Sequence, residues 1–300
     1  GHGTHTMGIM VGEDGLDNLI GMAPQAQWIG CRSMEQGWGT PATYAECYEW
    51  FVAPYPQDGD PFSDGDPLKA PHVINNSWSC PEREGCTDPD ILRSVVDNVR
   101  AAGIVTVHSA ANNGPNCGSL NKPSAIYDAS FSVGATDRDD QIAGFSSRGP
   151  SLQDGVLLTK PDISAPGVAI RSSIPGDSYG LKQGTSMAGP HVAGLVALLI
   201  EVQPDLAGNV DQLEALIQDT AVIQYSSEEC GEDEADSVPN NAYGWGRIDA
   251  YEAYEAAVDL PTPSPTPTST ATVTPGATST PTATAGAPRE KVYAPLLFAP

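Results

Sequence analysis

The sequence predicts an α/β fold in three layers, with a doubly wound, mostly parallel sheet that helices cover on both faces. Three observations support this prediction. Short apolar runs at residues 73–78, 104–107 and 131–135 have the length of buried strands. Apolar residues recur at helical spacing over 91–99, so strand, helix and strand follow one another as a parallel sheet requires. The stretch 186–200 is apolar nearly all round, which predicts a helix buried within the domain.

The helix over 91–99 has sequence signals at both ends. Asp88 precedes Pro89, a combination typical of an N-cap followed by proline at the first helical position. Gly103 stands where a glycine commonly ends a helix. We therefore expect the helix to begin beside Asp88 and to stop before Gly103.

The charge balance of the chain is strongly acidic. The sequence has 14 Lys+Arg against 38 Asp+Glu, a formal net charge of −24 at pH 7. Such a surface repels nucleic acid and anionic membranes. No stretch approaches the roughly 20 consecutive apolar residues that a membrane helix needs. We therefore expect no nucleic-acid partner and no transmembrane segment.

The six cysteines indicate disulfides, because they lack the repeated CxxC spacing of zinc sites. The alternative is six free thiols in a reducing compartment. The Thr/Pro-rich composition after residue 260 argues against it, because such a stretch favours export to a compartment where disulfides form. Two pairs are close in sequence, and a third follows by elimination. The hypothesised bridges are Cys80–Cys86, Cys31–Cys47 and Cys117–Cys230.

Composition divides the chain into three parts. Residues 1–258 carry the apolar patterns and are predicted to form the folded domain. Residues 259–288 are almost entirely Thr, Pro, Ser and Ala from Pro261 onward, without a charged residue, which predicts a disordered linker or stalk. Residues 289–300 form a tail too short to span a bilayer. Both attachment to the cell envelope and a frayed terminus are open interpretations of that tail.

Three polar clusters lie where α/β folds bind ligands, beyond the carboxyl ends of strands or at the starts of helices. They are Gly1–Gly8, Ser109–Gly114 and Gly184–His191. A serine at a helix N-terminus has an unpaired backbone N–H, and the helix dipole favours an oxyanion beside it. A neighbouring histidine can act as a general base, and an asparagine can donate a second hydrogen bond to the oxyanion.

The residues of these clusters also form recognisable sequence motifs. Gly1–His5 reads GHGTH and Gly184–Gly194 reads GTSMAGPHVAG, which resemble the histidine and serine motifs of the subtilase family. Ser109–Gly114 is similar to the family's oxyanion-asparagine segment, with Ala111 where glycine is usual. Further similar stretches, in the family's order within residues 1–258, are Phe145–Pro150, Lys160–Gly167 and Tyr243–Ala250.

By this resemblance Ser186 is the nucleophile, His2 the general base, and Asn112 the oxyanion donor beside the Ser186 N–H. The resemblance implies a secreted or cell-surface serine endopeptidase that acts on polypeptides and requires no cofactor. Structural calcium is common in the family, but no loop shows an unambiguous ligand pattern. The family's catalytic aspartate lies before the histidine motif, so we expect it upstream of residue 1 and expect residues 1–300 alone to be nearly inactive.

The resemblance further implies that substrate binds as an extended strand between two edges of a cleft. The residues of these edges and their neighbour are Gly37, Trp38, Gly39, Ser77, Trp78, Ser79 and Ala110. Ser79 and Cys80 stand where relatives usually carry glycine, so we expect a narrowed pocket and weaker cleavage after the bulkiest aromatic residues. The resemblance also implies a cis bond between Lys122 and Pro123.

Other readings of the same residues are open. His2 with His5 could be a metal pair, Ser186 an N-cap, Asn112 a left-handed turn residue and Trp78 part of the core. The rival function is a non-catalytic subtilase-fold module that binds peptides or displays a surface partner. Reaction of Ser186 with a phosphonylating reagent distinguishes the two, because a mere binder does not react.

Overall fold

The computed structural model describes residues 1–16 and 18–261, and in that part of the chain it has eight strands and six α-helices. The strands are β1 (Val73–Asn76), β2 (Val105–Ser109), β3 (Phe131–Thr136), β4 (Ser151–Gln153), β5 (Val156–Leu158), β6 (Ile163–Pro166), β7 (Ile170–Ile174) and β8 (Ser178–Lys182). The helices are α1 (His2–Val11), α2 (Pro41–Val52), α3 (Arg93–Ala101), α4 (Thr185–Val202), α5 (Val210–Asp219) and α6 (Ala250–Val258). Gly1–Leu260 form one compact unit. The predicted tail, 289–300, and the predicted linker from residue 262 onward lie outside the described residues.

The predicted parallel sheet is present. Four strands pair side by side in the order β1, β2, β3, β6, and every pair is parallel. Val73 lies opposite Val105, and Val133 lies opposite Ile163. Two antiparallel pairs, β4–β5 and β7–β8, are separate from this sheet. The carboxyl ends of the four parallel strands therefore meet at one edge, where ligands bind in such folds.

Helices cover both faces of the sheet, which confirms the three-layer α/β prediction. On one face α4 packs across all four strands, together with α6 and α5. On the other face α2 and α3 contribute to a second apolar cluster that includes Ile74. Strand β2 serves both faces, since Val105 and Val107 belong to the α4 cluster whereas His108 contacts Tyr48 of α2. Successive side chains of a strand point to opposite faces, which explains this alternation.

Helix α4 is the predicted buried helix. By length and composition alone it could cross a membrane, but most of it is buried, and it packs between the sheet and α1 and α6. Small residues allow close packing, because a Cβ at Gly194 would collide with Met22. The helix is therefore part of the domain core.

Helix α3 stops before Gly103 as predicted, but its predicted start beside Asp88 is wrong. The Asp88 carboxylate accepts a hydrogen bond from the backbone N–H of Asp90 at 3.0 Å, and the helix begins only at Arg93. An aspartate can satisfy a nearby N–H in a turn as well as at a helix start. The cap signal therefore marks a turn that precedes the helix.

All three hypothesised disulfides are present. The Cα–Cα distances are 5.6 Å for Cys80–Cys86, 5.7 Å for Cys31–Cys47 and 5.2 Å for Cys117–Cys230. These values lie within the range of disulfide-bonded pairs. The alternative of six free thiols is therefore wrong. Because disulfides persist in oxidising surroundings, the bridges fit an extracellular protein.

Candidate active site

Ser186 lies in the first turn of α4, beside the residue that follows β1. Gly184, with a φ of 140°, precedes the helix as its N-cap and has no side chain to cap it. The Ser186 hydroxyl donates to the Ser77 carbonyl at 3.3 Å, and the Ser77 hydroxyl donates to the Ser186 carbonyl at 3.0 Å. Ser186 is therefore not an N-cap, and its hydroxyl lies against the predicted Ser77–Ser79 edge.

Asn112 follows β2 and is tied to the same helix start. Its side-chain oxygen accepts hydrogen bonds from the Thr185 backbone N–H at 2.9 Å and from the Thr185 hydroxyl at 3.1 Å. A Cβ atom on Gly184 would lie 3.4 Å from the amide nitrogen of Asn112, 3.5 Å from its side-chain oxygen and 3.7 Å from the backbone nitrogen of Ser186. The Asn112 amide group and the Ser186 backbone N–H therefore lie close together beside Gly184.

The left-handed residue of this loop is Ala111, not Asn112. Ala111 has a φ of 71°, a conformation that favours glycine. This explains why glycine is usual at the position. The reading of Asn112 as a left-handed turn residue is therefore wrong.

His2 opens α1, which packs against α4 and β7. The residue is exposed, and no carboxylate of the described residues forms a hydrogen bond or ion pair with it. Partial loss of surrounding water lowers the pKa of His2, and the positive charge of Lys182 lowers it further. The imidazole is therefore neutral at pH 7, the form that can accept a proton.

His5 and His191 are held by backbone carbonyls instead. Nε2 of His5 donates to the Gly180 carbonyl at 3.1 Å, and Nδ1 of His191 donates to the Met187 carbonyl at 2.8 Å. Burial lowers the pKa of both rings. Across residues 1–16 and 18–261, no group of three or more His, Cys, Asp or Glu side chains is placed to hold a metal ion. The metal-pair reading of His2 and His5 therefore has no third ligand in this region.

The predicted edge at residues 37–39 is a tight turn supported by α2. Glu35 and Trp38 exchange backbone hydrogen bonds of 2.8 and 2.9 Å, and Gly37 between them has a φ of 84°. Gly39 lies against the ring of Tyr44, where a Cβ would collide. The turn and the tyrosine ring therefore account for the two glycines.

The other predicted substrate-binding side chains differ in their exposure to solvent. The Trp78 ring stacks on Tyr44 with the centroids 3.9 Å apart and the planes 10° apart. Ala110 is fully buried, and its backbone N–H donates to a carbonyl of β3. Trp38 is 56% exposed. Trp78 thus belongs to an aromatic cluster at the rim of the core, whereas Trp38 has an exposed ring.

The prediction of a cis bond between Lys122 and Pro123 is wrong. The cis bond of this loop is the next one, between Pro123 and Ser124. The Pro123 carbonyl accepts a hydrogen bond from the Cys80 N–H at 2.8 Å. An X–Pro bond is more stable in the trans form, and the cis bond that the family resemblance implied before Pro123 lies one bond later.

A buried polar network lies behind this loop, and the sequence analysis missed it. The Ser124 hydroxyl forms hydrogen bonds of 2.8 Å with Nδ1 of His108 and 3.0 Å with the Tyr48 hydroxyl. Burial lowers the pKa of His108 to about 3, and the positive charge of Lys160 contributes to the lowering. A histidine within an apolar strand was the one available signal, but its partners come from distant parts of the chain.

Sequence comparison relates this chain to known proteins. A sequence model of the subtilase family matches residues 1–246. Bacillopeptidase F of Bacillus subtilis is 41% identical over 267 residues, which are 86% of this chain and 17% of that protein. Subtilisin E of Bacillus subtilis is 33% identical over 68% of this chain and 46% of its own length. Serine protease AprX of the same species is 32% identical over 83% of this chain and 57% of its own length. The chain thus spans less than two thirds of each of these relatives.

Proposed function

This chain belongs to the subtilase family, and we propose that it is an extracellular serine endopeptidase that hydrolyses polypeptides through an acyl-enzyme on Ser186. The observation that carries the proposal is that the Asn112 side chain is held at the start of α4 by its hydrogen bond from the Thr185 N–H, beside the Ser186 backbone nitrogen. Acyl transfer develops a negative charge on the carbonyl oxygen, and two donors at one point stabilise it. The three disulfides support the extracellular assignment.

In the proposed reaction, the Ser186 oxygen attacks the carbonyl carbon of the scissile peptide bond while His2 takes the hydroxyl proton. The oxyanion accepts hydrogen bonds from the Asn112 side chain and the Ser186 N–H, at the positive end of the α4 dipole. His2 then gives its proton to the leaving nitrogen as the C–N bond breaks, which leaves an ester on Ser186. Water, deprotonated by His2, hydrolyses the ester and restores the serine.

The proposal includes a carboxylate that orients His2 and stabilises the imidazolium. The Asp14 carboxylate accepts a hydrogen bond from the Leu16 N–H beyond the far end of α1, so it is no substitute. Within the described residues no other carboxylate pairs with His2. Since the family's aspartate precedes the histidine motif, we place the required carboxylate in a segment outside residues 1–300.

Substrate would lie as a strand between Gly37–Gly39 and Ser77–Ser79, and main-chain hydrogen bonds to these edges would hold it. Ala110 would line the cleft through its backbone, because its side chain is buried. A side chain at Ser79 would narrow the primary pocket and disfavour the bulkiest aromatic residues. The reaction as proposed uses only groups of the polypeptide chain itself.

The three predicted parts of the chain take separate roles in this proposal. Residues 1–258 act as the peptidase domain. Residues 259–288 act as a stalk, since their composition lacks the apolar residues of a core. For residues 289–300, attachment to the cell envelope and a frayed terminus are both open interpretations. The proteolytic chemistry depends on the first part alone.

The test is hydrolysis of an unfolded polypeptide by the chain extended before Gly1 by an aspartate-bearing strand. We expect internal cleavage, identified by product masses, that disappears in Ser186→Ala. Ser94→Ala is the matched control, because Ser94 is an exposed serine on α3, on the other side of the sheet from α4. A folded chain that binds peptides without cleaving them would contradict the proposal and favour the non-catalytic binding module.

A further inference from the structure

The loop closed by the Cys80–Cys86 disulfide touches both edges of the proposed substrate cleft. It starts directly after the Ser77–Ser79 edge. Its Arg83 side chain lies over the ring of Trp38 on the other edge, with the guanidinium carbon 5.5 Å from the ring centroid. This distance is within the range of a cation–π contact. One short loop therefore brings a positive charge to an exposed aromatic side chain at the cleft.

Three contacts hold this loop in place. The buried Glu84 carboxylate accepts a hydrogen bond from the hydroxyl of the buried Tyr44 at 2.6 Å. The Cys80 N–H donates to the Pro123 carbonyl at 2.8 Å. The disulfide itself closes the loop over a sequence separation of 6. The backbone on either side of Arg83 is thus fixed before any ligand binds, which lowers the entropy cost of binding.

Arg83 keeps its hydrogen-bond donors free. Its side chain is 68% exposed, and the nearest carboxylate oxygen, on Glu84, is 3.8 Å away, which is beyond hydrogen-bond distance. By contrast, Arg93 and Arg148 each form two hydrogen bonds with a single carboxylate. Arg138 and Arg171 also lack a hydrogen-bonded carboxylate, but Arg83 combines this with a place over Trp38 at the proposed cleft. Its fork of N–H donors matches the geometry of a carboxylate from another molecule.

We propose that Arg83 and Trp38 form a subsite for a glutamate or aspartate side chain of the polypeptide bound in the cleft. The carboxylate would accept hydrogen bonds from the guanidinium, and the aliphatic part of the side chain would lie against the indole ring. The inference rests on the proposed function, because it takes the two edges to be the peptide-binding edges. The pair is exposed and screened by salt, so we expect a modest selectivity of about three- to tenfold.

The test measures peptide binding without hydrolysis. Residues 1–300 carrying Ser186→Ala are titrated into fluorescein-labelled octapeptides, and anisotropy gives the Kd. In each peptide one position of an alanine-rich sequence is Glu, Gln or Lys, and every position is scanned in turn. We expect one position at which Glu binds about three- to tenfold more tightly than Gln, and a smaller preference at high salt.

Variants then assign the preference to Arg83. Arg83→Ala should remove the difference between Glu and Gln, and Arg83→Glu should favour Lys at the same position. Arg138→Ala is the matched control, since Arg138 is 92% exposed and lies beside Asp139; it should keep the preference. A Glu preference that survives Arg83→Ala, or peptide binding with no charge preference, overturns this inference alone. No binding of any peptide overturns it together with the proposed peptide cleft.

Discussion

The side-chain oxygen of Asn112 accepts a hydrogen bond from the backbone N–H of Thr185 at 2.9 Å, and this bond joins the loop after β2 to the start of α4. The amide nitrogen of Asn112 donates no hydrogen bond to the described residues, and the amide group lies beside the Ser186 backbone nitrogen. One side chain thus has two separable tasks. Its oxygen positions the loop, and its nitrogen is the proposed oxyanion donor.

Substitutions at Asn112 separate these two tasks. Asn112→Asp keeps an acceptor for Thr185 but loses the donor and adds a negative charge beside the oxyanion, so we expect kcat to fall by about 10²–10³-fold or more. Asn112→Ala loses both groups and should also lower the thermal midpoint of unfolding. Activity is measured in a form that carries the triad carboxylate, and unfolding by calorimetry. Normal activity in Asn112→Asp would show that the nitrogen is no oxyanion donor.

The positive charge of Lys182 contributes to the lowered pKa of His2. A positive neighbour disfavours the protonated ring, so Lys182→Gln should raise the pKa of His2. The acid limb of the pH–rate profile should move to higher pH in the same direction. NMR titration of the His2 ring protons measures the shift without requiring activity. Lys69→Gln is the control, and equal His2 pKa values in both variants would contradict the assignment.

The buried His108 predicts a specific acid sensitivity of the fold. Its pKa is about 3 in the folded protein and about 6.5 in the unfolded chain, so between these values only the unfolded state binds the proton. The free energy of unfolding should therefore fall by about 1.4 kcal/mol per pH unit from this group as the pH drops below 6.5.

His108→Gln removes this proton and keeps a hydrogen-bonding side chain beside Ser124. We expect its unfolding free energy, measured by urea titration between about pH 4 and 6, to fall less steeply than that of the parent by about 1.4 kcal/mol per pH unit. Other histidines and the carboxylates contribute equally to both proteins. Parallel slopes would mean that His108 does not stay neutral in the folded state.

The absence of a carboxylate beside His2 in the described residues predicts low activity for residues 1–300 alone. Loss of the triad aspartate in a subtilisin lowers kcat by about 3 × 10⁴-fold, and we expect a deficit of similar size here. The comparison is between residues 1–300 and the chain extended by an aspartate-bearing strand, with both forms titrated for active sites. Equal kcat values would show that His2 does not depend on such a partner.

The fold could be predicted from the sequence where local patterns and packing agree. Apolar runs form the buried helix α4 and the strands that begin at Val73, Val105 and Phe131. A parallel sheet between two helix layers requires such runs to be buried. The disulfides Cys80–Cys86 and Cys31–Cys47 followed from short separations in sequence. The resemblance to subtilase motifs identified Ser186 and Asn112 as candidates, and the structure brings both to the start of α4.

The remaining features depend on contacts between distant segments. The stacking of Trp78 on Tyr44 and the hydrogen bond between His108 and Ser124 join residues that no local pattern relates. The predicted start of α3 was wrong because an aspartate side chain can accept a hydrogen bond from a backbone N–H either in a turn or at a helix N-cap. Position in the sequence alone could not decide between them.

The central claim is that Ser186 is an activated nucleophile, and its reaction with a fluorophosphonate tests this most directly. The folded chain, extended before Gly1 by the aspartate-bearing strand, is incubated with the reagent, and intact mass with peptide mapping locates any adduct. We predict one adduct, on Ser186, that is absent in Ser186→Ala, unchanged in Ser94→Ala, and formed more slowly in His2→Ala. A folded extended chain without an adduct at Ser186, or an adduct that persists in Ser186→Ala, would contradict the account.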